Sequence, residues 1–423
     1  MKQISVIITI FLCAVCFTLQ AQEKRILTFD EYLNNVKNYN IEYLVEKYNV
    51  DIADANVKAA KIFPDPELSV GYANNQNWNM QMGYEFDAEL SFTLELGGKR
   101  KARTRVAQSE KEMTEALLED YFRNLRVDAT LAYLSAIKQT KLHEIQKSSY
   151  TQMLELARAD SIRFRLGDIT EVDARQSKLE AATMLNDVYS SEGDLREILL
   201  QLSLFQGNTT MELPDSIAGT LSYEKQEFDL PSLIINAQAS RADLQAALRY
   251  KEMSQNNLKL ARANRAIDLG LSIGGVYASE VKNEIAPAPR FTGVAAGISI
   301  PLKFSNANKG ELSAARLAAK QSEKQYEAIE LQIGSEVMQA YSRYTIACHK
   351  MEQFNTGLLE DAETIFHKKV YSYQRGETGI LEVLNAQQTY NEVQVSYTET
   401  LYEYAQALVE LERAAGIWNI ERK

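Results

Sequence analysis

The chain has 423 residues, 24% of them charged, and a formal net charge of −11 at pH 7. This acidic balance disfavours nucleic acid and other polyanions as partners. The length is too great for one ordinary hydrophobic core, and only seven prolines interrupt it, so no linker-like boundary divides the chain. We therefore expect much of the chain to lie in elongated elements.

The chain begins with the pattern of a secretory signal, which we assign to residues 1–21. Lys2 precedes an apolar run that ends at Leu19, and a small residue closes the segment. The run is too short to span a membrane, and no stop-transfer pattern follows it. We expect plain cleavage and export from the cytoplasm, because the bulky Val15 before Cys16 does not suit a lipidation site.

An amphipathic helical segment leads into a predicted β-hairpin at about residues 66–96. In its second strand, aromatic and aliphatic residues from Tyr84 to Leu96 alternate with polar residues. Acids account for much of the polar face, at Glu85, Asp87, Glu89 and Glu95. One face of the strand therefore suits an apolar environment, and the other suits water.

A basic run, GGKRKARTR at residues 97–105, follows the hairpin where a helix is predicted to start. Its five cations are Lys99, Arg100, Lys101, Arg103 and Arg105. Cations oppose the dipole at a helix N-terminus, so a further interaction must favour them there. We expect contact with anionic lipid headgroups.

A helical pattern almost without breakers then runs for about 65 residues to Gly167, which at 1.5 Å per residue is on the order of 100 Å. Apolar residues recur along it at steps of four and three, as in a coiled coil. Gly167 suits the left-handed position that ends a helix. Thr170 with Asp173 suits the start of the next helix, which returns over residues 171–204.

The second half repeats this order, which indicates an internal duplication. It contains a hairpin at about residues 268–302 and then a helix similar in length to the long helix of the first half. A turn follows, in which Gly376 and Thr378 have the roles of Gly167 and Thr170, and a helix returns over residues 381–411. The first turn is two residues shorter before the Glu-Val step that both share. We divide the chain into a signal (1–21), a first repeat (22–207), an inter-repeat segment (208–235), a second repeat (236–415) and a tail (416–423).

The four predicted strands fit two environments. A half-buried sheet of a soluble domain shows the same alternation as a membrane barrel, so periodicity alone does not decide. The secretory signal and the polar segments between the strands favour a barrel, for which about 9 to 11 residues per strand suffice. Four strands cannot close a cylinder, and open edges in hydrocarbon leave backbone groups unsatisfied. Copies must therefore combine, as an eight-strand dimer or a twelve-strand trimer.

The order of helix pair, hairpin and long helix pair, given twice, resembles the TolC-type outer membrane factor family across the whole mature chain. Local stretches that match its habits are AAKIFPDPEL at Ala59–Leu68, RADL at Arg241–Leu244 and GETGILEVLNAQ at Gly376–Gln387. The GGKR stretch at residues 97–100 resembles the branch of the family that serves heavy-metal efflux.

The resemblance implies a mainly α fold with a β-barrel part. Long antiparallel helices and two β-hairpins per chain would form a trimeric twelve-strand barrel in the outer membrane, continued by an α-helical tunnel through the periplasm. Such a homotrimer is a passive exit duct that contacts outer-membrane lipid, a periplasmic adaptor and an inner-membrane transporter of the RND or ABC type. A type I protein-secretion channel is one alternative, and a secreted soluble coiled-coil scaffold is another.

The resemblance also assigns roles to residues. Near the second turn, Glu382 and Asn385 match a pair of acids that narrow the periplasmic aperture of the family's tunnel. Tyr373 matches a tyrosine that holds the closed state. Glu171 is the candidate aperture residue in the first repeat. Asn385 halves the expected charge, which predicts a weaker block by cations. A solvated helix face is the simpler explanation of Glu382. The residues matched to adaptor docking are Gly167, Asp168, Ile169, Gly376, Glu377 and Thr378.

By their phase, Glu85, Asp87, Glu89 and Glu95 would line the lumen of the barrel and favour cations or neutral solutes. A merely polar lumen is the alternative. We find no phosphate loop, nucleophile elbow or catalytic carboxylate pair, so we expect no enzyme and no cofactor. The histidines are scattered, and Met80 with Met82 is a weak candidate for soft metal contact, so no metal site is predicted.

Overall fold

The computed structural model of the protein describes residues 25–76, 81–208, 213–302 and 308–418. The predicted signal with Cys16, the loop residue Met80 and the end of the predicted tail lie outside the described residues. The first half contains β1 (Ile26–Leu27), α1 (Phe29–Tyr39), α2 (Ile41–Ala60), β2 (Glu67–Asn74), β3 (Tyr84–Leu94), α3 (Lys99–Leu166) and α4 (Glu171–Phe205). The second half contains β4 (Ser216–Ile217), α5 (Leu230–Ser240), α6 (Ala242–Ala263), β5 (Leu269–Ala278), β6 (Phe291–Ser299), α7 (Lys309–Phe354), α8 (Leu358–Gln374) and α9 (Ile380–Ala415).

The described residues form two compact units, and each unit draws on both halves of the chain. The first unit takes its residues from Met1–Leu44, Phe122–Ala237 and Ser335–Lys423, and the second from Val45–Tyr121 and Gln238–Gly334. Because α3 and α7 each contribute to both units, the predicted repeats are not separate compact bodies. The repeat boundaries stay a prediction.

The second unit contains an antiparallel sheet in the order β2-β3-β5-β6, which confirms the four predicted strands. Leu68 pairs with Leu90, and Leu90 pairs with Ile273, so the apolar residues form one continuous face. β3 ends at Leu94, before the predicted limit, because Gly97 takes a φ of 71° and turns the chain. The first unit contains a short parallel pair, β1 with β4, which we did not predict.

The first long helix is confirmed, since α3 runs unbroken for 68 residues. The prediction of an equally long helix in the second half is wrong, because α7 ends after 46 residues and α8 begins four positions later. Gly357, the N-cap of α8, has a φ of 99°. Asn355, Thr356 and Gly357 favour turns over helix, which explains the break. None of the helices in the described ranges combines the length and the apolar character needed to cross a membrane.

Candidate functional site

Both α3 and α8 end in the same hydrogen-bonded turn, built on a left-handed glycine. The φ angles of Gly167 and Gly376 are 85° and 76°. In each turn the glycine N–H donates to the carbonyl three residues back, and the next N–H donates to the carbonyl five back, at 2.9 to 3.0 Å. A Cβ at either position would meet nothing within 4 Å, so backbone conformation rather than space requires glycine.

The returning helices start differently. The Thr170 hydroxyl accepts the Asp173 N–H at 3.2 Å, and the Asp173 carboxylate accepts the Thr170 N–H at 3.3 Å, which confirms the predicted capping box of α4. The N-cap of α9 is Gly379, so the assignment of Thr378 as the start of that helix is wrong. Each N-cap follows its turn glycine by three residues, so the two extra residues before the Glu-Val step of the second half lie within the first turn of α9. Backbone hydrogen bonds define where a helix starts, and the shared Glu-Val dipeptide does not mark that position.

The other residues matched to adaptor docking lie on or beside these turns. Asp168 and Glu377 are exposed, and Ile169 is half-buried. A carboxylate oxygen of Glu377 lies 3.1 Å from the Arg375 side chain. Leu166, the last residue of α3, leaves 72% of its surface exposed. The two turns therefore expose apolar and charged side chains, and their backbone conformation requires glycine.

Tyr373 on α8 is buried and bound to a carboxylate on α3. Its hydroxyl donates to Asp160 Oδ1 at 3.0 Å, and Asp160 has no exposed surface. The Arg163 guanidinium lies 5.0 Å from the centroid of the Tyr373 ring and 3.9 Å from the same carboxylate oxygen. Burial raises the pKa of the Asp160 carboxyl, and hydrogen bonds and Arg163 only partly oppose that shift. Burial, followed by the adjoining carboxylate, raises the pKa of Tyr373.

Asp160 and Arg163 were not predicted as functional residues from the sequence. Their signal was present in the apolar stripe of α3, because Met153 and Ala157 are buried and Asp160 continues their spacing of four and three. An acid at a core position of a helical stripe requires a compensating partner. The partner is 213 positions away in the chain, so the sequence alone did not reveal it.

The candidate aperture residues on α9 are exposed. Glu382 and Asn385 lie one turn apart near the start of the helix, and the Glu382 carboxylate forms an ion pair with Lys369 of α8. Glu382 also stands in the first turn, where an acid complements the helix dipole. Glu171 occupies the first turn of α4 and pairs with Arg175 at 2.6 Å. Each acid therefore has a partner within its own chain.

The polar face of the sheet carries Glu85, Asp87 and Glu89 on β3, all exposed. Most residues across from them on the neighbouring strands are small. Asp87 pairs with Gly71, and a Cβ at that glycine would lie 2.2 Å from Asp87 Oδ1. Glu89 pairs with Gly274 on the other side. The glycines leave room for the carboxylates above the sheet.

Two cations at the start of α3 pair with carboxylates at the ends of strands. Lys99 Nζ lies 2.6 Å from Asp268, directly before β5. Arg103 donates to both oxygens of Glu95, at 2.7 and 3.2 Å. These charge-assisted bonds explain why cations stand at this helix N-terminus. Glu95 lies beyond β3 and its carboxylate accepts from Arg103, so its place in the barrel lumen stays a prediction.

A third cation of the basic run also has a partner in the second unit. The Arg100 guanidinium lies 3.7 Å from the centroid of the Phe63 ring, within range of a cation–π interaction. Lys101 and Arg105 are exposed. The explanation by lipid contact is thus not needed for Lys99, Arg100 or Arg103, and it rests on the two exposed cations.

Across the described residues, no group of three or more His, Cys, Asp or Glu side chains is placed to hold a metal ion. Cys348 is buried, whereas the side chain of the adjacent His349 is exposed. The sulfur of Met82 accepts a weak hydrogen bond from Asn283 at 3.8 Å, and its predicted companion Met80 lies outside the described residues.

Comparison with known proteins agrees with this architecture. A sequence model of the family described as outer membrane efflux protein matches residues 43–208 and 233–417. The cobalt-zinc-cadmium resistance protein CzcC of Cupriavidus metallidurans is 22% identical over 396 residues, which are 92% of this chain and 90% of that protein. The outer membrane channel CmeC of Campylobacter jejuni has a TM-score of 0.74 at 16% identity, over 92% of this chain and 85% of that one. CusC, whose structures describe transmembrane channel formation, has a TM-score of 0.74 at 17% identity, over 92% of each chain. The predicted fold class is confirmed.

Proposed function

The chain belongs to the outer membrane efflux protein family, and we propose that three copies of it assemble into one channel. Members of the family form trimers and work with adaptors and inner-membrane pumps. The chain is an outer-membrane exit duct that extends into the periplasm and passes solutes outward. Its family consists of channels rather than enzymes.

The observation that carries the trimer is the exposed apolar face of an open sheet. Leu68, Tyr72 and Ile298 leave more than half of their surface exposed. β2 and β6 end the sheet with one unpaired edge each. Three such sheets supply twelve strands, which pair every edge and turn the apolar face to lipid. A heat-modifiable trimer in outer-membrane fractions is the test, and an aqueous periplasmic monomer would refute the proposal.

At the periplasmic end, we propose that Tyr373 with Asp160 holds the tip of α8 against α3, and that Glu382 and Asn385 border the aperture. Glu171 is the proposed counterpart on α4. The ion pair of Glu382 with Lys369 supports a nearly neutral aperture, since each copy then contributes one charge of each sign. Weak block by divalent cations in planar bilayers is expected, and strong block would contradict the assignment.

The two glycine turns are proposed as the surface that receives the adaptor. Gly167, Asp168 and Ile169 would contribute from the first turn, and Gly376, Glu377 and Thr378 from the second. Exposed Leu166 supports this role, because an apolar side chain at a helix end suits a protein contact. Export should fail when both glycines are replaced by bulky residues, while the amount of trimer stays normal. Unimpaired export would remove the docking assignment.

Glu85, Asp87 and Glu89 are proposed to line the barrel lumen, and Lys101 and Arg105 to approach anionic headgroups of the outer membrane. Three acids per copy on one strand support preference for cations or neutral solutes. Replacing the three acids with their amides should reduce the cation-to-anion permeability ratio. An unchanged ratio would leave the lumen as merely polar.

We propose divalent metal ions as the exported solutes and an RND-type transporter as the energised partner. The similarity to a cobalt-zinc-cadmium resistance protein and the GGKR stretch at residues 97–100 support this choice. Deleting the coding region should lower the tolerated concentration of zinc, cobalt or cadmium and leave tolerance to organic drugs unchanged. The opposite pattern would favour a drug pump of the RND or ABC type.

A further inference from the structure

A polar cavity of about 380 Å³ lies between α3 and α6 in the second unit. The two helices run antiparallel there, because α3 follows β3, α6 precedes β5, and these two strands are antiparallel neighbours. Three residues of each helix line the end nearer the sheet, and these are Arg105, Gln108, Ser109, Gln255, Asn256 and Lys259. Glu112 and Glu252 line the far end. The cavity therefore has a cationic end near the sheet and an acidic end away from it.

The two acids at the far end already have partners. Arg249 Nη1 lies 3.3 Å from the Glu112 carboxylate and 2.9 Å from the Glu252 carboxylate. Gln108 also donates to Glu112 Oε1, at 3.2 Å. Because an ion pair engages both carboxylates, the far end does not favour a cationic ligand.

The two cations at the near end have no such partner. Across the described residues, no carboxylate lies within ion-pair distance of Arg105 or Lys259, and both residues are exposed. Lys259 Nζ donates to Asn256 Oδ1 at 3.0 Å, and Asn256 Nδ2 donates to Ser109 Oγ at 2.7 Å. Ser109 Oγ in turn donates to the Arg105 carbonyl at 3.0 Å. This chain holds two like charges at one level of the helix pair, where an anion between them is attracted by both.

The helix dipole explains only one of these cations. Lys259 lies close to the end of α6, where a cation complements the negative end of the dipole. Arg105 lies near the N-terminal end of α3, where a cation gains nothing from the dipole. It also lacks the carboxylates that bind Lys99 and Arg103 in the same basic run. A negatively charged ligand would compensate the charge of Arg105.

The cavity opens on the side of α3 that corresponds to the apolar face of the sheet. Lys99 binds Asp268, which follows the phase of the polar face of β5. Arg103 binds Glu95, which follows that of β3. Residues two positions apart on a helix point about 200° apart, so Arg105 points away from this polar side. In the proposed trimer the apolar face turns to lipid, and Arg105 therefore points outward.

The cationic end also lies at the depth of lipid headgroups. Arg105 is six residues from the start of α3, or about 9 Å, and Lys259 is four residues from the end of α6, or about 6 Å. The headgroup region of each leaflet is about 5–8 Å thick. Side chains of α3 tilt toward the N-terminus of the helix, which brings the Arg105 guanidinium closer to the sheet. Both cations therefore reach the level of lipid phosphate groups.

We propose that this cavity binds the phosphate group of a phospholipid from the periplasmic leaflet of the outer membrane. Arg105 and Lys259 contact the phosphate oxygens, and the exposed amide of Gln255 donates to the same group. The inference rests on the proposed outer-membrane channel, because that assembly places lipid beside the cavity. It differs from a general attraction of the basic run to headgroups, since residues of two helices form one defined site. Free phosphate is the other source of this chemistry, and the test separates the two.

Isothermal titration calorimetry of the purified trimer, in a detergent without phosphate, measures the binding. The probes are dihexanoylphosphatidylglycerol, dihexanoylglycerol, which lacks the phosphate, and inorganic phosphate. The native trimer should bind the phospholipid saturably at one site per copy and bind dihexanoylglycerol far more weakly. A variant with both Arg105→Gln and Lys259→Gln should bind the phospholipid about thirtyfold more weakly, because each cation near a membrane surface contributes about a factor of five.

A matched control removes two other exposed cations of the second unit, through Arg316→Gln and Lys320→Gln on α7. The control has the same net charge as the cavity variant and should bind the phospholipid as the native trimer does. Lys259→Arg keeps the charge and should also retain binding. Equal affinity of the cavity variant and the control would overturn the site, and so would a native trimer that does not bind the phospholipid.

The remaining outcomes concern the ligand and the premise. Saturable binding of inorganic phosphate by a trimer that does not bind the phospholipid would overturn lipid as the source of the phosphate. Equal binding of the phospholipid and dihexanoylglycerol would overturn phosphate recognition. Absence of any trimer from outer membranes would refute the proposed channel, whereas a normal trimer whose cavity variant binds like the control refutes the cavity site alone.

Discussion

Replacing Tyr373 with phenylalanine tests the contact that joins α8 to α3 near the tip. The change removes the hydroxyl that donates to Asp160 Oδ1 at 3.0 Å and keeps the ring beside Arg163. Because the carboxylate is fully buried, loss of a hydrogen bond to a charged group is expected to cost about 1.5–3 kcal/mol in each copy. At about 1.4 kcal/mol per factor of ten, local opening of the tip becomes roughly ten- to hundredfold more frequent.

Hydrogen–deuterium exchange on the trimer measures this opening directly. Peptides that cover Tyr373 and Asp160 should exchange roughly ten- to hundredfold faster in Tyr373→Phe than in the native protein. Tyr371→Phe is the matched control, because Tyr371 is exposed and stands on the same helix two residues earlier. Larger and more frequent openings in planar bilayers should accompany the faster exchange. Equal exchange in the two variants would refute the assignment of Tyr373 as a closing contact.

The buried carboxyl also sets a direction for pH. Burial raises the pKa of Asp160 above its ordinary value of 3.8. A carboxyl whose pKa is raised in the folded state stabilises that state fully at any pH below the pKa of the unfolded state. This stabilisation is lost as pH rises through the folded-state pKa. The tip should therefore open more easily as pH rises from about 4 towards neutrality. Asp160→Asn should abolish this dependence, and a persistent slope would show that another group causes it.

Three further substitutions test separate features. Lys369→Met should leave Glu382 without its ion-pair partner. We expect higher cation selectivity and stronger block by divalent cations in planar bilayers. Unchanged currents would place the pair away from the aperture. Gly71→Ala would set a Cβ 2.2 Å from Asp87 Oδ1, which lies at the end of an exposed side chain. The carboxylate can rotate away, so we expect only a small decrease in the dissociation temperature of the trimer on heated gels, which the added change Asp87→Ala should restore. Gly376→Val forces a β-branched residue to a φ of 76° and should cost at least about 1–2 kcal/mol, whereas Asn at the same position should be tolerated in thermal unfolding.

The strands and the turns were predictable because their signals are local. Alternation over eight to eleven residues defined β2 and β3, and their pairing of Leu68 with Leu90 keeps the predicted apolar face. Gly167 and Gly376 were read correctly as helix ends, since a left-handed residue after a long helix is a backbone requirement. The start of α9 was misread, because a glycine N-cap has no side-chain signature to distinguish it from Thr378.

The partners of the charged residues were not predictable. The basic run places cations at a helix N-terminus, where they oppose the helix dipole, and the carboxylates that bind them explain this position. The partner of Lys99 is distant in the chain, at Asp268, whereas the partner of Arg103 is nearby, at Glu95. In the same way, the acid at position 160 broke an apolar stripe without showing that Tyr373 binds it. Such pairs depend on which helices become neighbours.

By itself, the sequence determined where strands alternate, where helices end and that the chain is built from two similar halves, because each of these properties is written in spacing and turn chemistry. Only the tertiary structure decided which strand ends the sheet, which carboxylate each cation binds and which helix faces stay uncovered. Those outcomes depend on contacts between residues far apart in the chain, such as Asp160 and Tyr373, which are 213 positions apart. Burial converts such a contact from a neutral surface feature into an interaction worth about 1.5–3 kcal/mol.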